Sequence, residues 1–313
     1  TDITSGQAYR FRNYGTENDL PSEVIYTLVQ DNNGYLWVGT TEGLARFDGF
    51  SFFRVNFQDS ASGRYPTVSV RDTRGTLWFG CNDGTLFYSS GSELLQTILP
   101  NSSGAGVSSV FEGNDGKIYV VSQRMPVFVV DPGNPREGKS LVSDADPTMF
   151  SAAPGPEGEI LIGTQDNVLI CRIEGNSIAV RGSVEGFDYS RVMSITPVKN
   201  GKSFIAGTDG NGIFRLELSG NTGSISRFRG SESLNSLPVK SVMQDSRNNV
   251  WVSTAGFGAV RVQFSGDTDS IASIRFLDKS SGLEGDYVMT AFEDSEENIW
   301  LGFNGDGLSI LTT

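Results

Sequence analysis

The sequence has no histidine, two cysteines and few basic residues. Without histidine there is no Ser-His-Asp triad, no imidazole metal site and no histidine pH sensor. Cys81 and Cys171 fall in repeats that are not neighbours, so a disulfide, which needs Cα atoms within about 7 Å, is not expected. Each is expected as a buried free thiol. Lysine and arginine total 24 against 37 aspartates and glutamates, a formal net charge of −13. General nucleic-acid binding needs a positive field and is excluded on that ground. No run approaches the roughly 18–20 apolar residues that cross a bilayer, so this chain is not expected to insert into a membrane. The opening TDITSGQ carries no signal peptide and no Met, consistent with a trimmed or mature exported chain.

Motifs for cofactors are also missing. Acidic turns such as Asp31-Asn32-Asn33-Gly34 lack the spacing and distal Glu of an EF-hand loop. Stretches such as GTDGNGIF (207–214) resemble GxGxxG loosely, but no helix pattern follows to hold a phosphate. No cofactor and no metal are expected.

What the chain has is a repeat. Val24 to Asp48, VIYTLVQDNNGYLWVGTTEGLARFD, joins an apolar run, a polar turn, an aromatic-centred strand and a Gly-closed hairpin. The pattern returns at 69–88, 107–131, 149–174, 192–217, 239–264 and 288–312. Its centres are Trp37, Trp78, Tyr119, Leu161, Phe204, Trp251 and Trp300, at spacings of 41, 41, 42, 43, 47 and 49 residues. An all-strand period of about 40–45 residues is that of a propeller blade. The expected fold is all-β: a seven-bladed β-propeller with four antiparallel strands per blade.

In the first repeat the strands read 24–30, 35–40, 44–48 and 51–55. Residues 8–14, AYRFRNY, alternate like a strand, while the last repeat stops after its third. Strand 8–14 is therefore expected to complete the seventh blade and close the ring, since closure removes open edges. Residues 8–313 are expected as one propeller and 1–7 as a disordered tail. The turn acids are read as turn formers and not metal ligands. The Trp residues, locked to one strand position, are read as packing between blades. Gly43, Gly84, Gly212, Gly258 and Gly307 close the second hairpin of their repeats; Asn167 stands there in the fourth, where it is expected to adopt the left-handed backbone. Residues 132–147 read as the longest irregular link.

The units VIYTLVQDNNGYLWVGTTEGLARFDG, VKSVMQDSRNNVWVSTAGFGAVRV and VMTAFEDSEENIWLGFNGDGLSIL resemble the two-component regulator propeller repeat. The opening FRNYGTENDLPSEVIYTLVQDNNGYLWVGTTEGLARFDG is similar to the start of the sensor region of hybrid two-component systems of Bacteroides-type bacteria. The resemblance covers residues 8–313. It implies a periplasmic or otherwise extracytoplasmic sensor domain in signal transduction, recognising a glycan or oligosaccharide without catalysis. In that family two propellers commonly precede a β-sandwich, a membrane helix and a histidine kinase. A second propeller or sensor-kinase domains are therefore expected partners, beside the oligosaccharide ligand.

In a propeller the loops that join blades and the second hairpins share one face around the central channel. Planar amides and guanidinium groups beside aromatic rings suit neutral sugars. On that face the candidate ligand-binding residues are Tyr65, Arg124, Tyr189, Arg191, Phe257 and Tyr287. A second reading is a protein–protein interaction scaffold for propeller docking. A third is a propeller lyase or glycosidase; the latter needs two carboxylates about 5–10 Å apart. Acids such as Glu42, Asp83, Asp209 and Asp306 lie on the face, but no motif marks a pair, and no enzyme is expected.

Overall fold

Each repeat folds into one four-stranded antiparallel sheet, and seven such sheets follow one another in chain order. The computed structural model describes residues 10–57, 63–143, 147–198, 203–266 and 270–312. The expected tail, 1–7, lies outside the described residues. Innermost in the blades are Ile25–Gln30, Pro66–Arg71, Val107–Glu112, Ser151–Pro154, Val192–Pro197, Val239–Gln244 and Val288–Glu293. Each of these packs against the inner strands of the blades before and after, and the first against the last, which makes a ring. Among the described residues no helix is long and apolar enough to cross a membrane.

The ring closes between the ends of the chain. Arg10–Tyr14 pairs antiparallel with Leu308–Thr312, from Arg10 opposite Thr312 to Tyr14 opposite Leu308. Tyr14 then seals the seam with the first blade. Its ring stacks on Trp300 at 5.9 Å and meets Phe47 and Phe52 edge-on at 5.2 and 5.6 Å.

The turn acids do more than turn the chain. Asp31 Oδ1 accepts the backbone N–H groups of Asn33 and Tyr35, while Oδ2 accepts the Trp37 indole N–H at 2.9 Å. The same bond joins Trp78 to Asp72, Trp251 to Asp245 and Trp300 to Asp294. Tyr119 reaches Asp115 with its hydroxyl. The six-residue offset from acid to Trp is thus a hydrogen bond: a buried indole N–H needs an acceptor, and the turn supplies it.

A glycine recurs in the second strand of the blades for a different reason. Gly39, Gly80, Gly163, Gly207 and Gly302 lie in that strand without positive φ. A Cβ at Gly39 would lie 2.6 Å from Thr27 Cγ2 and 3.1 Å from Pro66 Cβ, the first inner-strand residue of the next blade. At Gly80 and Gly207 the crowding atoms belong to Val107 and Val239, the same position one blade on. Glycine here lets neighbouring sheets approach.

Two local expectations change. Residues 132–147 contain the outer strand of the third blade, Gly138–Leu141, which is short and opens on glycine because Leu99 and Val130 fill the space a side chain would take. Asn167 does not adopt the left-handed backbone. Its side-chain oxygen accepts the Thr164 hydroxyl at 2.5 Å instead, which holds the hairpin without a positive φ. Cys81 and Cys171 are both buried and free, and burial pushes each thiol up to about 12.

Candidate functional site

The inner strands carry one irregularity at the same place. Against its neighbour, each shifts register after its first residue in six blades: Ile25/Thr27, Pro66/Val68, Val107/Ser109, Val192/Ser194, Val239/Ser241 and Val288/Thr290. The skipped residues are Tyr26, Thr67, Ser108, Met193, Lys240 and Met289. In the fourth blade Phe150 donates its N–H to the Gly163 carbonyl while Ser151 also opposes Gly163, so Phe150 holds the equivalent place. A bulge places two residues against one and re-aims a side chain. All seven bulge residues line one cavity of about 470 Å³ in the central channel.

Below this ring the wall is largely hydroxyl and aliphatic. Thr27 and Ser69 share a hydrogen bond of 2.6 Å, and Ser109 Oγ accepts the Ala152 N–H at 2.8 Å. Ser194 Oγ accepts the Val242 N–H. Lys240 is the charged residue of the wall, which contains no carboxylate among the described residues. The cavity can hold a small polar molecule against rings, thioethers, hydroxyls and one ammonium group.

At the rim, three of the six expected residues join this site. Tyr65 stacks on Tyr26 with centroids 5.2 Å apart and planes 19° apart. Burial first, then a hydrogen bond with Tyr65 and the nearby phenols of Tyr65 and Tyr287, raises the Tyr26 pKa above the ordinary phenol value. Lys240 Nζ lies 5.8 Å from the centre of the Tyr287 ring. It is also 3.9 Å from Asp209, which pairs closely with Arg191. Arg191 in turn lies over the Phe150 ring at 5.6 Å. Tyr65, Tyr26, Tyr287, Lys240, Asp209, Arg191 and Phe150 thus form a connected series around the mouth.

The other three are not part of that series. Arg124 is exposed at the hairpin tip of the third blade. Tyr189 is 83 % exposed at φ 59°, and its carbonyl accepts the Gln165 amide. Phe257 is half exposed between Gly256 and Gly258, both at positive φ. Reasoning from loops missed Tyr26 and Lys240, which belong to inner strands, and Phe150, which immediately precedes one. The available signal was one position at the start of each inner apolar run, which varies from Tyr to Ser while its flanks stay apolar or hydroxyl-bearing.

Fold and channel together define a seven-bladed β-propeller with a lined central cavity. Residues 19–42 and 233–256, in the first and sixth repeats, match the two component regulator propeller family model. No curated protein matches the sequence. Among solved structures the chain is similar to the extracellular domain of the hybrid two component system BT3049 from B. thetaiotaomicron, with a TM-score of 0.74, 18% identity, and coverage of 97% of this chain and 42% of that one. It is similar to a catalytically inactive virginiamycin B lyase from Staphylococcus aureus, with a TM-score of 0.74, 14% identity, and 97% and 99% of the two chains covered. A third similar structure is PorZ, a surface component of the type-IX secretion system of Porphyromonas gingivalis, with a TM-score of 0.71, 17% identity, and 93% and 46% covered. At these identities the likeness is one of fold. The chain spans less than half the length of the two-component and PorZ chains.

Proposed function

We propose that the chain is an extracytoplasmic, non-catalytic ligand-sensing propeller domain of a two-component signalling system, and that its ligand is a glycan or oligosaccharide bound at the channel mouth. The observation that carries this reading is the ring of bulge residues. Seven blades present six different residue types to one cavity of about 470 Å³, a volume in the range of small-molecule sites. The aromatic rim of Tyr26, Tyr65 and Tyr287 suits sugar C–H faces, and the hydroxyl wall suits sugar hydroxyls. A glycosidase needs paired carboxylates, and this wall carries none among its described residues. The family match and the similar Bacteroides extracellular domain favour the signalling context, with a second propeller or kinase-linked domains as partners.

The test is thermal shift of the chain against plant, host and microbial oligosaccharides at millimolar concentration. Binding to the native state raises Tm by mass action. A shift with one sugar class that Tyr65→Ala abolishes is expected. Failure of every sugar to shift Tm would reject the reading.

A second reading has its own observation. Phe50 is 89 % exposed and Phe53 48 % exposed on the outer edge of the first blade. Such a pair favours docking of a protein partner. Loss of binding to a tethered second propeller in the Phe50→Ser, Phe53→Ser double variant would support it.

A further inference from the structure

The seven bulge residues are not arranged at random around the channel. In ring order they are Tyr26, Thr67, Ser108, Phe150, Met193, Lys240 and Met289. In a seven-membered ring the sixth blade lies across from the gap between the second and third. Lys240 therefore faces Thr67 and Ser108, the two smallest residues of the set. The remaining four form matched pairs about the same line. Met193 and Met289 flank Lys240; Phe150 and Tyr26 flank the Ser108 and Thr67 side. The mouth is thus bilateral: a cation at one end, a polar bay at the other, and an aromatic ring on each side of the bay.

The polar groups are committed in a way that selects a ligand. Thr67 Oγ1 donates to the Val107 carbonyl at 2.7 Å, and Ser108 Oγ donates to the Val121 carbonyl at 3.1 Å. Each hydroxyl keeps lone pairs and can accept from a ligand donor. Lys240 is held loosely, 3.9 Å from Asp209, and that carboxylate is shared with the closer Arg191. Two cations and one anion leave this corner with one net positive charge, in a chain of net charge −13. The next wall residue, Ser241, has a buried hydroxyl with no partner among the described residues.

Resting on the sensing reading above, we infer that the channel ligand is a small cyclic monocarboxylate, a sugar acid. Its carboxylate pairs with Lys240, its ring lies between Tyr26 and Phe150, and its hydroxyls donate to Thr67 and Ser108. A neutral sugar leaves the Lys240 charge without an anion from the ligand; a polyanion meets only one net positive charge and an acidic surface. The carboxylate is the specificity determinant.

Calorimetric titration with D-glucuronate and D-galacturonate, beside D-glucose and D-galactose, tests this on the intact chain. The acids are expected to bind and their neutral parents not. Lys240→Gln should weaken acid binding roughly ten- to a hundredfold, the worth of a hydrogen bond to a charged group, while Lys240→Arg keeps part of it. The ligand-free Tm of each variant reports its fold. Should the Gln variant not fold, salt decides: acid binding by the unaltered chain must weaken several-fold as ionic strength rises. Neutral sugars binding the chain and Lys240→Gln alike would overturn the acid inference and leave the sensing function standing. Silence from all four sugars overturns the inference too; the sensing reading fails only if the wider oligosaccharide panel is silent as well.

Discussion

Trp78 donates its indole N–H to Asp72 Oδ2 at 2.9 Å, and both residues are buried. The other oxygen of Asp72 accepts the N–H groups of Arg74 and Thr76. One carboxylate therefore shapes a turn and anchors the blade's central aromatic. Asp72→Ala should lower the unfolding free energy by about 2–4 kcal/mol, because it strands a buried indole donor and two turn amides. Trp78→Phe removes that donor. A double-mutant cycle by urea denaturation should show coupling of about 1–2 kcal/mol; additive effects would mean that the bond contributes nothing.

Gly39 and Gly34 stand in one repeat and should respond to alanine for different reasons. At Gly39 a Cβ meets Thr27 and the next blade's Pro66, so Gly39→Ala should cost about 1–3 kcal/mol by overpacking. Gly34 has open space around it but φ of 86°, so Gly34→Ala should cost about 1 kcal/mol of backbone strain. Shrinking the neighbour tells them apart: Thr27→Ser should recover stability in the Gly39 variant and not in the Gly34 variant.

Ring closure should depend on Tyr14. It belongs to the strand that pairs with Leu308–Thr312, and it packs on Trp300, Phe47 and Phe52. Tyr14→Ala should cost about 3–5 kcal/mol, as for other large buried aromatics. Hydrogen exchange should rise first in the first and seventh blades. Uniform loss of protection across all blades would argue against a local seam.

Acid stability should depend on Asp83. Burial works against its carboxylate, but hydrogen bonds from Thr85 and Arg64 outweigh it and hold its pKa below the ordinary value. A depressed folded pKa stabilises the protein above the unfolded value of about 3.9, and that contribution is lost as pH falls through the folded value. Asp83→Asn should therefore destabilise the chain near neutrality and flatten its loss of stability below about pH 4. Denaturation at a series of pH values reads this directly; an unchanged acid limb would assign the loss to other carboxylates.

The blades could be read from the sequence because their signals are local. The Asp- and Gly-rich turns, the aromatic or aliphatic strand centres and the inner apolar runs recur from repeat to repeat, and repetition separates them from chance. The closing strand, Arg10–Tyr14 among the described residues, was legible by subtraction, since one strand was surplus at the start and one missing at the end. The outer strand Gly138–Leu141 was not legible: four residues opening on glycine show no alternation, and only the side chains of Leu99 and Val130 against it explain why it fits.

The site divides along the same line. Tyr65, Arg191 and Tyr287 could be proposed from the loops, because a repeat fixes which loops share a face. Arg124, Tyr189 and Phe257 looked equivalent in sequence and are not joined to the mouth. The sequence determined that seven sheets form, in what order, and where their turns fall, since those depend on contacts within a blade or between consecutive ones. Only the tertiary structure decided which residues meet across the channel. Lys240, Thr67 and Ser108 lie far apart in the chain, and their opposition arises from closing seven blades into one ring and from a bulge that aims each side chain into it.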